Sequence, residues 1–214
     1  MIPFHDENPT KTFPILTILL IAANIYIFFY GFSLRINLDA LYTHYGLVPY
    51  ELLNNPVSAY PTIYSSMFLH SGLGHLGGNM LYMWIFGNNI EDTLGKTRFI
   101  LFYLVCGTLA AMAHVLTDTN SQIPMVGASG AISGILGGYM ILFPSSRVKT
   151  LVFLGFFITV IRLRAQILLG LWMLFQIFGG MAAADGGGGV AWAAHVGGFV
   201  AGMALILPFK NLRI

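Results

Sequence analysis

Gly127-Ala128-Ser129-Gly130-Ala131-Ile132-Ser133-Gly134-Ile135-Leu136-Gly137-Gly138-Tyr139-Met140-Ile141-Leu142-Phe143-Pro144 carries no charge, and the stretch reads as a helix inside a membrane. Gly130, Gly134 and Gly138 recur at i, i+4, i+8, which places them on one helix face. Small residues at that spacing let membrane helices approach closely. The rest of the chain agrees. Hydrophobic residues make up 57% of it and charged residues 8%, where a soluble domain carries about 25% charge. So few charges cannot cover a water-facing surface. The solvent for most of this chain is therefore lipid.

A bilayer span takes about 20 apolar residues. Apolar runs of that kind fall at about 13–33, 75–90, 98–117, 128–144, 165–181 and 191–208. The expectation is an all-α, polytopic bundle of six transmembrane helices, forming one membrane domain over residues 1–214. The polar stretch before Phe13 lacks a small-residue cleavage site, so the first run reads as a retained helix. A further run, Leu151 to Ile161, would extend only about 16 Å as a helix. It reads as an interfacial or re-entrant piece between Arg147, Lys149, Arg162 and Arg164.

Cations orient the bundle. With the N-terminus inside, Lys11, Lys96, Arg98, Arg147, Lys149, Arg162, Arg164, Lys210 and Arg213 all fall on the inner side, and only Arg35 falls outside. This is the positive-inside pattern. It predicts a multi-pass protein of the cell membrane with both termini cytoplasmic and the 34–74 connection extracytoplasmic. Net charge is +2 with no basic run, so nucleic acid is not an expected partner. The lone Cys106 excludes an internal disulfide and reads as a packing residue. No Cys/His spacing suggests a metal, and no cofactor is expected.

Polar side chains inside spans are costly and point to function. Three places carry them: His75 with Asn79, one turn apart at the start of span two; Ser129 at the start of span four; and His195 near the start of span six. Counting helical rise from the inner ends puts each roughly 20–24 Å up. They therefore share one layer, below the outer surface. Gly198 and Gly202 give span six a small-residue face to meet that of span four, which would bring Ser129 and His195 together. A histidine beside a serine in a water-poor cavity can accept the hydroxyl proton. His75, Asn79 and the backbone N–H of Ser129 could then donate to an oxyanion. No Asp or Glu is placed to orient His195, so the pattern is a dyad. Each residue also has a plainer reading. Ser129 between glycines could be packing, His195 a ligand or a bridge between helices, and His75 and Asn79 stitches between spans.

Together these residues resemble the rhomboid intramembrane serine proteases, over nearly the whole chain. Gly127-Ala128-Ser129-Gly130 is similar to the family's nucleophile motif. His195 with Gly198 and Gly202 is similar to its histidine motif, and His75 with Asn79 to its oxyanion motif. Glu91 and Arg98-Phe99 fit the family's inner loop after span two. The resemblance implies a six-helix core in which Ser129 attacks, His195 is the base, and transmembrane protein segments are the substrates. It also implies a water-filled cavity open to the outside, and a mobile fifth helix and adjoining loop, Gly186 to Gly189 included, as substrate gate. Two departures stand out. Ser133 occupies the place where many members stack an aromatic ring on the histidine, and the Trp-Arg pair of the first outer loop is absent. His70 is similar to a loop histidine of the family and reads as structural. His5, His44 and His114 carry no special reading.

Other chemistries lack their signatures. There is no His-Glu-x-x-His and no intramembrane aspartate pair for other proteases. A paired broken helix or charged pathway, expected of a transporter, is not evident. The competing class is a catalytically inactive rhomboid-like protein that binds membrane clients.

Overall fold

The computed structural model describes residues 1–33, 37–155, 157–183 and 191–212. Arg35, Arg213 and the Gly186–Gly189 cap of the sequence reading lie outside the described residues. Helices overlie all six apolar runs: α1 (Ile15–Ser33); α6 (Leu73–Tyr82), continued through a π-helical turn Met83–Gly87 into α7 (Asn88–Leu94); α8 (Lys96–Thr117); α9 (Ser129–Leu142); α10 (Ala165–Ala183); and α11 (Trp192–Asn211). By length and composition α8, α10 and α11 are long and apolar enough to cross a membrane, and α1 and α9 are shorter apolar helices. α11 continues past Pro208, where the sequence suggested an end, to Asn211.

Between α1 and α6 lie four short helices: α2 (Leu38–Tyr45), α3 (Pro49–Asn54), α4 (Pro56–Ala59) and α5 (Thr62–Ser65), followed by a 3-10 turn at Ser66–Phe68. Pro49 and Pro56 open α3 and α4, where a missing N–H costs nothing. The layer grips the segment that leads into α9. Leu47 and Met125 exchange backbone bonds of 3.0 and 2.8 Å, and the Gly127 N–H donates to the Ser66 carbonyl at 2.9 Å.

The expectation of an all-α fold is corrected at the opposite end. β1 (Ile2–Asp6), β2 (Arg147–Leu154) and β3 (Phe157–Arg164) form an antiparallel sheet in that order. The Leu151–Ile161 run is thus the tip of a hairpin, with Leu154 paired to Phe157 across Gly155 at φ 61°. A glycine accepts that positive φ without strain. The physical reason lies in side-chain shape. Val148, Thr150, Val152, Ile158, Val160 and Ile161 are β-branched and suit a pleated surface. Around them Val148 and Thr150 are buried while Arg147 and Lys149 turn out, a period of two. Measuring the run by helical rise missed that alternation. The polar N-terminal segment is the third strand, and its Asp6 is buried. Tyr139 Oη of α9 and Asn89 Nδ2 of α7 donate to it at 2.9 and 2.8 Å.

α1 is capped from a distance. Glu91 of α7 accepts from the N–H groups of Leu16 and Thr17 at 3.0 and 2.8 Å and from the Thr17 hydroxyl at 2.8 Å. The first N–H groups of a helix have no carbonyl a turn earlier, and a carboxylate there also meets the positive end of the helix dipole. Asp92 takes the preceding Lys11 and Thr12 N–H groups at 3.1 and 2.8 Å. These contacts settle its carboxyl below the ordinary value, the Thr12 hydroxyl contributing most.

The core is the contact of α9 with α8 and α11. A Cβ added at Gly198 would collide with the Gly130 carbonyl, one at Gly202 with the Gly134 carbonyl, and one at Gly137 with the Phe199 carbonyl. The side-chain positions of Gly130 and Gly134 instead abut Ala110 and Cys106 of α8. The α9 glycines therefore serve two neighbours. Gly170 of α10, by contrast, has open space beside it. Gly198→Ala is expected to destabilise by about 1–3 kcal/mol, the usual cost of overpacking. Gly170→Ala should be neutral or stabilise by up to about 1 kcal/mol, since Ala favours a helix. Thermal unfolding of the two variants in detergent checks the contrast.

Candidate active site

Ser129 is the first residue of α9, and its N–H is among those that helix geometry leaves without a partner. Gly127, two residues earlier, has φ 127°, a conformation other residues rarely adopt. A Cβ there would stand 2.7 Å from His75 Nε2 and 3.5 Å from Ser129 Oγ. Glycine is thus required twice over, for the backbone turn and for the imidazole beside it.

His195 lies one turn into α11, in the layer where Gly198 seats that helix on α9. Its Nε2 is 2.8 Å from Ser129 Oγ. The pair forms part of the wall of a cavity of ≈ 420 Å³ whose lining also includes His75, Asn79, Trp172 and Gln176. All four sequence-predicted residues are therefore brought to one cavity. His75 Nδ1 bonds the Ser71 hydroxyl at 3.1 Å, and its ring meets that of His70 edge-on, centroids 5.0 Å apart. Burial first, then the neighbouring His75, holds the His70 pKa down to about 4, so this loop histidine is neutral in ordinary buffers. Asn79 is buried, and its Nδ2 has no hydrogen-bond partner among the described residues. An unpaired buried donor costs about 1–3 kcal/mol. Such a donor at a cavity wall is available to a negative oxygen entering it.

Sequence reasoning left open what steadies His195. Ser133 turns away and donates to the Ser129 carbonyl at 2.6 Å. The contacts come from α10 instead. Gln176 Oε1 is 2.7 Å from His195 Nδ1, and the Trp172 ring lies 6.0 Å from the imidazole at 41°. Trp172 in turn stacks on Phe199, at 5.9 Å. A signal existed: Gln166 and Gln176 are the only amides in the 165–183 run, and Trp172 and Gln176 are one turn apart. A glutamine inside a span is as costly as the serine, histidines and asparagine there, and so points to function as they do. Among the described residues no group of three or more His, Cys, Asp and Glu is arranged to hold a metal.

The family model described as Rhomboid domain matches residues 58–211. Rhomboid protease GluP of Bacillus subtilis (strain 168) is 33% identical over 208 residues, 96% of this chain and 36% of that protein. Rhomboid protein 1, mitochondrial, of Saccharomyces cerevisiae is 34% identical over 112 residues, 50% of this chain and 32% of that protein. Putative rhomboid protease YdcA of Bacillus subtilis is 36% identical over 76 residues, 36% of this chain and 38% of that protein. The chain thus spans about a third of the length of these curated relatives. A matched domain that takes in every element from α5 to α11, with helices apolar enough to cross a bilayer, fixes both membership and setting. This chain is a multi-pass membrane protein and belongs to the rhomboid family.

Proposed function

We propose that this protein is an intramembrane serine endopeptidase that cleaves transmembrane segments of other membrane proteins, with Ser129 as nucleophile and His195 as general base. The observation that carries the reading is the 2.8 Å approach of His195 Nε2 to Ser129 Oγ at the wall of a cavity between apolar helices. A serine hydroxyl is a weak nucleophile until a base takes its proton. Here His195 Nε2 takes it as Oγ bonds to the scissile carbonyl carbon. The carbonyl oxygen becomes negative and faces donors from the Ser129 N–H and Asn79 Nδ2, with His75 beside them. The carbon–nitrogen bond then breaks, the leaving amine takes the proton from His195, and a water activated by the same base releases the acyl group. The dyad supplies both nucleophile and base, so the reaction as written draws on no metal or cofactor.

The membrane arrangement belongs to the same proposal. Six helical crossings put both termini in the cytoplasm by the charge bias, with the three-stranded sheet on the inner side. The Ser129 end of α9 then opens toward the extracytoplasmic face of the cell membrane. The relatives named as proteases support the activity, and the matched domain supports the setting.

Ser129→Ala and His195→Ala are each expected to abolish cleavage of a model transmembrane substrate in proteoliposomes. A fluorophosphonate probe should label the wild type and spare Ser129→Ala. Members of such a unit are non-additive, so the double variant should be little worse than either single one. Retained proteolysis by purified Ser129→Ala would overturn the assignment.

One oxyanion donor is worth about 10²–10³ in rate. Asn79→Ala should lower kcat within that range or less, with a weaker effect on KM. Steady-state kinetics over a range of substrate concentrations check this, and an unchanged rate would make Asn79 a packing residue.

The substrate's own backbone sets a further requirement. A helix in lipid keeps its carbonyls in internal hydrogen bonds, and Ser129 cannot attack one held that way. The scissile stretch must unwind, which is easiest beside Gly or Pro, about 1 and 3 kcal/mol less favourable than Ala in a helix. Cleavage is expected near the extracytoplasmic end of the substrate helix, at a small residue with Gly or Pro downstream. Replacing those residues by Leu while keeping the cleavage site should slow the initial rate in proteoliposomes. An equal or faster rate would show that unwinding does not limit the reaction.

A further inference from the structure

Gln176 is 5% exposed, and it sits between two groups of fixed hydrogen-bonding character. On one side is the backbone carbonyl of Trp172, 3.4 Å from Nε2; on the other is His195 Nδ1, 2.7 Å from Oε1. A carbonyl can only accept, so Gln176 must turn its NH2 toward Trp172 and its oxygen toward His195. That oxygen can also only accept, so Nδ1 of the neutral imidazole must carry the N–H. The ring has one proton to place, and Nε2 is left bare. A bare Nε2 accepts from the Ser129 hydroxyl 2.8 Å away. In the other tautomer Nε2–H would donate to Oγ, and the ring could not take the serine's proton. The direction of every hydrogen bond from α10 to the nucleophile therefore follows from one backbone carbonyl.

We propose that Gln176 is the positioning residue of His195, fixing its tautomer and ring plane, and that alignment of the base therefore depends on α10 being seated against α11. The inference rests on the Ser129–His195 reading. It supplies the role that a carboxylate plays in a three-residue arrangement, from a neutral side chain. Neutrality suits the place, because an ionised carboxylate in this apolar layer would bear a heavy desolvation cost. The Trp172 indole, one turn earlier on α10 and 6.0 Å from the imidazole, bounds the same ring from another side. Both supports of His195 named here thus belong to one helix, and that helix carries neither member of the dyad.

The test uses the full chain in proteoliposomes. Gln176→Leu keeps the bulk and removes the acceptor. It is expected to lower kcat by about 10–100-fold, part of the 10²–10⁴ that a positioned base supplies, with KM within about twofold. Gln176→Glu restores an acceptor oxygen. It should recover kcat to within about threefold of wild type, with the acid limb of the kcat/KM profile moved to higher pH, because a carboxylate favours the protonated imidazole. The sign follows from the base being active only when neutral. A Gln176→Leu enzyme within about twofold of the wild-type kcat, or a Gln176→Glu enzyme no faster than Gln176→Leu, would overturn the proposal. A separate readout needs no variant to fold. In wild-type protein labelled with 15N-histidine, His195 should show the Nδ1–H tautomer, and an Nε2–H signature would overturn it. Fluorophosphonate labelling of wild type against Ser129→Ala, run alongside, tells failure of this inference from failure of the protease reading.

Discussion

Two helix backbones, α9 and α11, press directly on each other, and the positions of Ser129 and His195 depend on that contact. Lipid tails are as apolar as leucine, so membrane helices gain little by hiding apolar surface from them and associate through close packing instead. Where Gly198 and Gly202 lie against the carbonyls of Gly130 and Gly134, no side chain intervenes. The contact fixes both the distance between the helices and their relative height. Ser129 begins α9 one residue before Gly130, and His195 precedes Gly198 by one helical turn. The two side chains therefore meet because the glycines below them already have.

Other parts of the structure hold the two ends of this contact in register. At the Ser129 end, the short helices after α1 bind the segment leading into α9 through Leu47, Met125, Ser66 and Gly127. At the sheet end, Asp6 ties the N-terminal strand to α7 and α9, and Glu91 ties α7 to the start of α1. Each link uses a buried charged or polar group that would be a burden in isolation. With its partners supplied, each becomes a positional constraint. The outward faces of the helices are largely apolar among the described residues. Leu19, Tyr26, Phe175, Phe178, Val200 and Leu207 are exposed there, as suits contact with lipid.

The helices and the approach of Ser129 to His195 are legible in the sequence because both leave long, regular traces. An apolar run of span length and a glycine every fourth residue survive any uncertainty about element ends. A serine and a histidine at equal helical depth can be matched by counting rise. The sheet was less legible. Its strands are short, one of them is a polar N-terminal segment, and strand pairing over so large a separation leaves no local mark. β-branching between Val148 and Ile161 and the alternation from Arg147 to Thr150 are its traces, and the hydrophobicity of the run masks them. Gln176 escaped for a different reason. Its partner is 19 positions away on another helix, and an amide in a span is as well explained by bonding its own backbone, which it also does.

β3 runs into α10 without a linker, Arg164 to Ala165, and the sheet holds that junction. The N–H groups of Ala165 and Gln166 donate to the carbonyls of Ser146 and Pro144 at 2.8 and 3.1 Å, and Leu168 and Leu169 are buried. Farther along, Leu171, Leu174, Phe175, Phe178 and Met181 are exposed. The helix is held at its root by the sheet, which is its fulcrum, and along its inward face by Trp172 on Phe199 and Gln176 on His195. Gln176 lies eleven residues from Ala165, about 16 Å along the arm at helical rise. A tilt of about 10° at the fulcrum would carry it by roughly 3 Å, as far as the hydrogen bond it makes is long. So small a displacement would break that bond, and the geometry around His195 therefore depends on how firmly the sheet anchors Ala165. The hairpin, at first sight an accessory to the helical core, is part of what sets the imidazole's surroundings.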